Sequence, residues 1–286
     1  CTATPNDGDD DGATVSATVT VESVYDGWSS SDVSLSGADY VLLADSSGDR
    51  ASGFLNGPGD ADGDGRADVV MNAYRDSVGG ASAGASCYIS GATLATLSTS
   101  STLADSDWRV HGESAGDELA GAHPAGDMDG DGVDDFLMGA RFDDDGGADA
   151  GAGYLMSSGT LPAGRSISAG ASDVKFGGEQ AGDTAGGFVR GGGDVDGDGT
   201  NDVAVNAWYA DRVGTRSGRG YVLLSGTFAG GGSIDLSNSD YIFDGEASNN
   251  YAGHRISLDG DMDGDGQAEV VLSAYLNDDV GTFAGK

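Results

Sequence analysis

The chain has 286 residues, with 48 acidic against 13 basic side chains, a formal net charge of -35, and 52 glycines. That length holds one large β domain or two small ones; the charge argues against a nucleic-acid partner, whose phosphates are held by basic residues; and no apolar run reaches the roughly 18 residues of a membrane-spanning helix. Many glycines among 38% hydrophobic residues suit short strands and tight turns, and no helical periodicity persists along the chain.

Residues 1–14 open on Cys1 and run through Asn6-Asp-Gly-Asp-Asp-Asp-Gly12, which reads as an acidic flexible tether. A chain that begins on Cys and continues into such a tether resembles a bacterial lipoprotein after signal removal, with Cys1 as the lipid anchor. The plain alternative is a chain that happens to start there. Residues 15–286 read as one β domain. Its first element is Val15–Val21, where Val15, Ala17, Val19 and Val21 alternate onto one face. A further strand is expected over Tyr40–Ala44.

From Asp60 onward the chain repeats. The stretch Asp194-Val-Asp-Gly-Asp-Gly-Thr-Asn-Asp202 has near-copies beginning at Asp60, Asp127 and Asp261, each step being 67 residues. That interval fits four short strands with their loops. Acids fall at positions 1, 3, 5 and 9: Asp60, Asp62, Asp64, Asp68; Asp127, Asp129, Asp131, Asp135; Asp194, Asp196, Asp198, Asp202; and Asp261, Asp263, Asp265, Glu269. Two carboxylates about 4 Å apart repel by roughly 4 kcal/mol at an effective dielectric near 20, so such a loop needs a cation. Many flexible hard-oxygen ligands suit Ca2+ better than Mg2+, which demands strict octahedral geometry. About four calcium sites are expected.

Glycines at positions 4 and 6 let the backbone turn around the ion. A main-chain carbonyl at position 7 would add a ligand, and the indifference of that position to side chain (Arg66, Val133, Thr200, Gln267) is what a carbonyl ligand predicts. An EF-hand would place a bidentate Glu at position 12. Here that position is Met71, Met138, Val205 or Leu272. Glu269 departs from Asp, and its extra methylene marks the fourth loop as the weaker site.

Each loop leads into a short apolar run: Val69–Tyr74, Phe136–Arg141, Val203–Trp208 and Val270–Tyr275. Bounded by Gly and Asp, these read as buried strands. Third strands follow, such as Ala85–Ser90 and Gly220–Ser225, and outer ones at Trp108–His111, Asp173–Phe176 and Asp240–Asp244, joined by polar linkers. Cys87, in the first of the third strands, reads as a buried free thiol or as the disulfide partner of Cys1, within or between chains.

A loop of the form DxDxDGxxD entering a strand that ends near Gly-Ala resembles the FG-GAP repeat of integrin alpha-subunit propellers. Gly53-Phe54 and Gly187-Phe188 carry the Gly-Phe half; Gly121-Ala122 and Gly253-His254 are degraded forms, and Gly139-Ala140 keeps the Gly-Ala half. The resemblance covers residues 19–286 and implies a β-propeller whose metal loops join the first and second strands of each blade. Four periods predict four blades. The last stops after its second strand, and its missing strands reappear in register at the N-terminus, where three periods set Val33 against Ile234 and Tyr40 against Tyr241. The fold class expected is an all-β, four-bladed propeller whose last blade is completed by N-terminal strands. The alternative within the class is a larger propeller of which this chain is a part.

No Gly-x-Ser-x-Gly elbow, HExxH, Walker loop or dinucleotide fingerprint accompanies His111, His123 and His254, so no catalytic residue is assigned. A second acidic set, Asp143, Asp144, Asp145, Asp211, Asp278 and Asp279, follows the second strands and reads first as solvated turns. The function expected is non-catalytic: an extracellular, secreted or surface-tethered calcium-binding protein in adhesion, binding or assembly, where millimolar calcium suits weak Asp-rich loops. Its partners would be a surface protein or glycan, or copies of itself. The alternatives are a filament subunit joined by N-terminal strand exchange, and a polysaccharide-active enzyme.

Overall fold

The structure is a computed structural model that describes residues 41–98, 101–157, 166–258, 260–282 and 284–286. The tether, the Val15–Val21 strand and Cys1 lie outside the described residues, and so does any Cys1–Cys87 bond. Among the described residues Cys87 has no disulfide partner; its thiol is buried, and burial pushes its ionisation up to about 11.

The described chain is all-β, with two four-residue helices, and it repeats one plan. In the first unit β2 (Ala51–Gly59), β3 (Asp68–Ala73), β4 (Ala85–Ile89) and β6 (Trp108–His111) form an antiparallel meander. Between β4 and β6 come α1 (Gly91–Leu94) and β5 (Ser101–Thr102). The second unit repeats this with β7 (Ala120–Gly126), β8 (Asp135–Ala140), β9 (Ala152–Met156), the short β10 (Ile167–Ser168) and β11 (Val174–Gly177). The third has β12 (Val189–Gly193), β13 (Asp202–Ala207), β14 (Arg219–Leu223), α2 (Ser225–Phe228), β15 (Gly232–Asp235) and β16 (Tyr241–Asp244). The fourth is a pair, β17 (Ala252–Leu258) and β18 (Val270–Ala274). None of the sheets closes on itself.

The second strands are apolar throughout because they are covered on both faces. In β8, Phe136, Met138 and Ala140 pack toward the first unit against Tyr88, Trp108 and Val110, while Leu137, between them, packs toward Val203 and Tyr221 of the third. Alternation along a strand sends successive side chains to opposite faces, so each sheet is a wall shared by two cores. Tyr88 stacks on Trp108 at 5.0 Å and meets Phe136 edge-on at 5.9 Å. The first strands carry register shifts, the bulges that bend a strand and re-aim its side chains. Phe54 of the first unit and Phe188 just before β12 lie 5.8 Å from each other, two units apart.

The polar linkers between third and outer strands hold an element the sequence reading lacks. A short strand in each linker pairs in parallel with the outer strand of the preceding unit: β5 with β1 (Leu42–Leu43), β10 with β6, and β15 with β11. The last outer strand, β16, has no such neighbour among the described residues. Its Tyr241 and Phe243 are 48% and 38% exposed, whereas their counterparts Val174 and Phe176 in β11 are 3% and 0% exposed. Beyond β18, Lys286 exchanges backbone hydrogen bonds with Ala274 at 2.8 and 3.0 Å, the pairing that opens a third strand in the other units.

Candidate metal centres

The acidic loops sit where the sequence places them, between β2 and β3, β7 and β8, β12 and β13, and β17 and β18. The paired glycines of every loop lie in the left-handed region, Gly63 at φ 75° and Gly65 at φ 85° in the first, so only glycine follows this path cheaply. The position-1 acid closes the turn: Asp60 Oδ2 accepts from Gly65 N at 2.8 Å, and Asp127, Asp194 and Asp261 accept from Gly132, Gly199 and Gly266 N at 2.8 to 2.9 Å.

Position 9 starts the second strand and is buried, Asp68 at 2%, Asp135 at 1% and Asp202 at 0% exposure. Each reaches back across its loop, Asp68 to Ala61 N at 2.6 Å, Asp135 to Met128 N at 2.8 Å and Asp202 to Val195 N at 2.7 Å. Glu269 makes the same bond to Met262 N at 2.5 Å, so its longer side chain keeps the clamp. Position-3 acids then complete the clusters. Oxygens of Asp60, Asp62 and Asp68 lie within 4.8 Å of one another, as do those of Asp127, Asp129 and Asp135, of Asp194, Asp196 and Asp202, and of Asp261, Asp263, Asp265 and Glu269. These groups could hold a metal ion.

The position-5 acids Asp64, Asp131 and Asp198 fall outside those clusters and accept instead from Arg66, Val133 and Thr200 N at 2.8 Å; Asp265 accepts from Gln267 N at 2.9 Å and stays inside its cluster. Charge crowding is visible in the carboxyls. Burial raises that of Asp202, with Asp196 and Asp194 adding repulsion, and burial also raises that of Asp62, with Asp68, Asp64 and Asp60 adding to it. The Thr200 N–H and the Ser225 hydroxyl lower that of Asp198.

Sequence reasoning missed the third-strand ends as part of these sites. Tyr88 OH donates to Asp68 Oδ2 at 2.7 Å and Gly91 N to Asp68 Oδ1 at 2.8 Å. Ser225 donates its N–H to Asp202 Oδ1 and its hydroxyl to Asp198 Oδ2, and the Ser157 hydroxyl donates to Asp129. The legible signal was the polar end of each apolar third strand: Gly91 and Ser225 stand at the same repeat position and give the same N–H, and Ser157 lies one residue before that position.

A further acidic group, Glu113, Asp143 and Asp145, has the same oxygen spacing but already holds a cation. Lys175 Nζ stands 2.6, 3.0 and 2.6 Å from the three acids, and Tyr154 OH donates to Glu113 and Asp143 at 2.9 Å. Comparable pairings recur in the other units: Arg109 with Asp45 and Asp76, Arg212 and Arg219 with Glu179, and Lys286 with Glu246 and Asp279. The acids after the second strands that carry such pairs, Asp143, Asp145 and Asp279, are thus structural partners of bases and not bare turns.

His123 has its imidazole held neutral, pushed down to about 3 by burial and then by Arg190, and it faces Asn56 Nδ2 at 3.0 Å. His254 is stacked between Trp208 at 4.7 Å and Tyr275 at 4.6 Å. No helix is long and apolar enough to cross a membrane among the described residues. No family model matches the chain, and no curated protein matches it.

Proposed function

We propose that this is a calcium-stabilised, non-catalytic β-propeller of FG-GAP type that serves outside the cell in adhesion, binding or surface assembly. The observation that carries the reading is that four loops, one per period, gather three or four carboxylates each within 4.8 Å. The Glu113 group is the internal contrast, since its charge is met by Lys175. Oxygen-only ligands on a loop with left-handed glycines match a hard, flexible cation such as Ca2+, with the carbonyls of Arg66, Val133, Thr200 and Gln267 as further ligands. Calorimetric titration of metal-stripped protein with Ca2+ tests this: four sites are expected, the Glu269 loop binding less tightly than the others. Four equal sites would remove the role given to Glu269, and no binding would remove the proposal.

The proposal includes a ring of four blades whose last is completed by the N-terminal segment. Supporting it, Phe54 and Phe188 meet at 5.8 Å although two units apart, a curvature that suits few blades. Among the described residues the apolar β16 also lacks the parallel strand its counterparts have, and Val33 stands three periods before Ile234, which pairs with Phe176. Strand exchange with a second copy is the competing use of that edge and would build filaments.

A further inference from the structure

At the strand ends opposite the acidic loops lies a cavity of about 230 Å³ walled by Phe54, Tyr74, Glu118, Arg141, Phe188 and Trp208. Tyr74, Arg141 and Trp208 stand one 67-residue period apart, each just past its second strand, so the repeat itself delivers them to a common mouth.

The charge there runs against that of the molecule. Glu118 is held by Arg75 at 3.1 Å and Arg141 at 2.7 Å, two cations for one acid. Arg50 donates to Tyr74 OH at 2.9 Å, and Arg255 lies 3.8 Å from the centroid of Phe188. Among the described residues neither has a carboxylate within ion-pair distance, in a chain with 48 acids.

One polar atom without a partner belongs to the wall, and two more belong to residues behind it. Trp208 Nε1, Asn72 Nδ2 and Ser52 Oγ are buried with no partner. Trp208 is in the cavity wall, Ser52 adjoins the wall residue Gly53, and Asn72 Oδ1 lies 3.6 Å from where a Cβ on Gly53 would be. The repeat counterpart of Asn72, Asn206, donates its amide to Gly253 O at 2.9 Å, a bond Asn72 does not make. A buried donor left unpaired is costly, so the Trp208 N–H in the wall calls for an acceptor.

From these features we infer that the mouth binds a carboxylated sugar ring, which names the ligand class for the binding role proposed above and rests on that reading. The aromatic faces of Trp208 and Tyr74 take the apolar face of a pyranose, while the indole N–H and the guanidiniums of Arg255 and Arg50 take its hydroxyl and carboxylate oxygens. An acidic peptide side chain brings the carboxylate without a ring face. The volume, below the roughly 300–1,000 Å³ of drug-sized pockets, fits one ring and not a length of chain.

The experiment is calorimetric titration of trigalacturonate into the calcium-loaded chain, with galactotriose, which has no carboxylates, and a tri-aspartate peptide alongside. Trigalacturonate is expected to bind, the other two to bind at least about tenfold more weakly, and Trp208→Ala and Arg255→Gln each to lose about tenfold in affinity. Arg255 is exposed, so its variant keeps the test open should Trp208→Ala fail to fold. Equal binding of galactotriose, equal binding of the peptide, or undiminished binding by a folded variant overturns the inference. No binding by a chain that still takes up Ca2+ overturns the sugar site alone and leaves the metal proposal standing.

Discussion

Lys175 does by itself, within 3.0 Å of Glu113, Asp143 and Asp145, what a metal ion would do in the acidic loops. Removing one member of a buried ion cluster leaves the rest uncompensated and costs about 3 kcal/mol or more. Lys175→Met is therefore expected to lose about that much stability in urea unfolding at saturating calcium; a loss under ~1 kcal/mol would mean the cluster is solvated. Asp117 and Asp183 behave oppositely. Burial pushes both carboxyls up to about 6, with Asp143 and Glu113 adding to it at Asp117. The folded state therefore holds protons that the unfolded chain, with carboxyls near 4, has released. Their contribution to stability falls as pH rises from about 4 to about 6 and is flat on either side. Asp117→Asn, measured with calcium chelated so that the loops do not intervene, should raise the melting temperature relative to wild type by ~2 °C or more at pH 7 and little at pH 4. An equal effect at both pH values would contradict the burial argument. The position-1, 3 and 9 acids were legible in the sequence because their partners are local. The lysine plug was not, since Glu113, Asp143 and Lys175 are brought together by packing between two units.

Second strands and acidic loops could be read because a two-faced buried strand is a continuous apolar run and a loop repeats its own acids. The short strands β5, β10 and β15 could not. Two to four residues long, they carry no periodicity, and what makes them strands is the outer edge of the preceding unit. That edge gives the element-scale prediction. In the β11–β15 pair Phe176 lies opposite Ile234, so the proposed completion of the last blade in the same register would bring Val33 opposite Phe243. With Cys1 replaced by serine, the double variant Val33→Cys, Phe243→Cys should oxidise to a cross-linked monomer on a non-reducing gel. A ladder of cross-linked multimers would support strand exchange between copies, and no cross-link would place another segment on β16.

At the scale of the molecule, adjacent sheets share their cores, so a loop that springs open at one edge disturbs two neighbours at once. Metal bound at those loops would stabilise the whole array, at ~2.7 kcal/mol per site when calcium stands at a hundred times its dissociation constant. The all-β repeat of sheets was legible from the 67-residue period; the bulges of the first strands were not, because the sequences of those strands vary between units. The measurement that bears most directly on the account is the thermal melt of the chain in millimolar calcium against the same chain in EDTA. The account predicts a melting temperature lower by on the order of 10 °C or more in EDTA, restored by Ca2+ and only weakly by Mg2+, with Asp196→Ala losing part of the calcium effect. Coincident melts in calcium and EDTA would show that the four acidic loops are turns that hold no metal, and would contradict it.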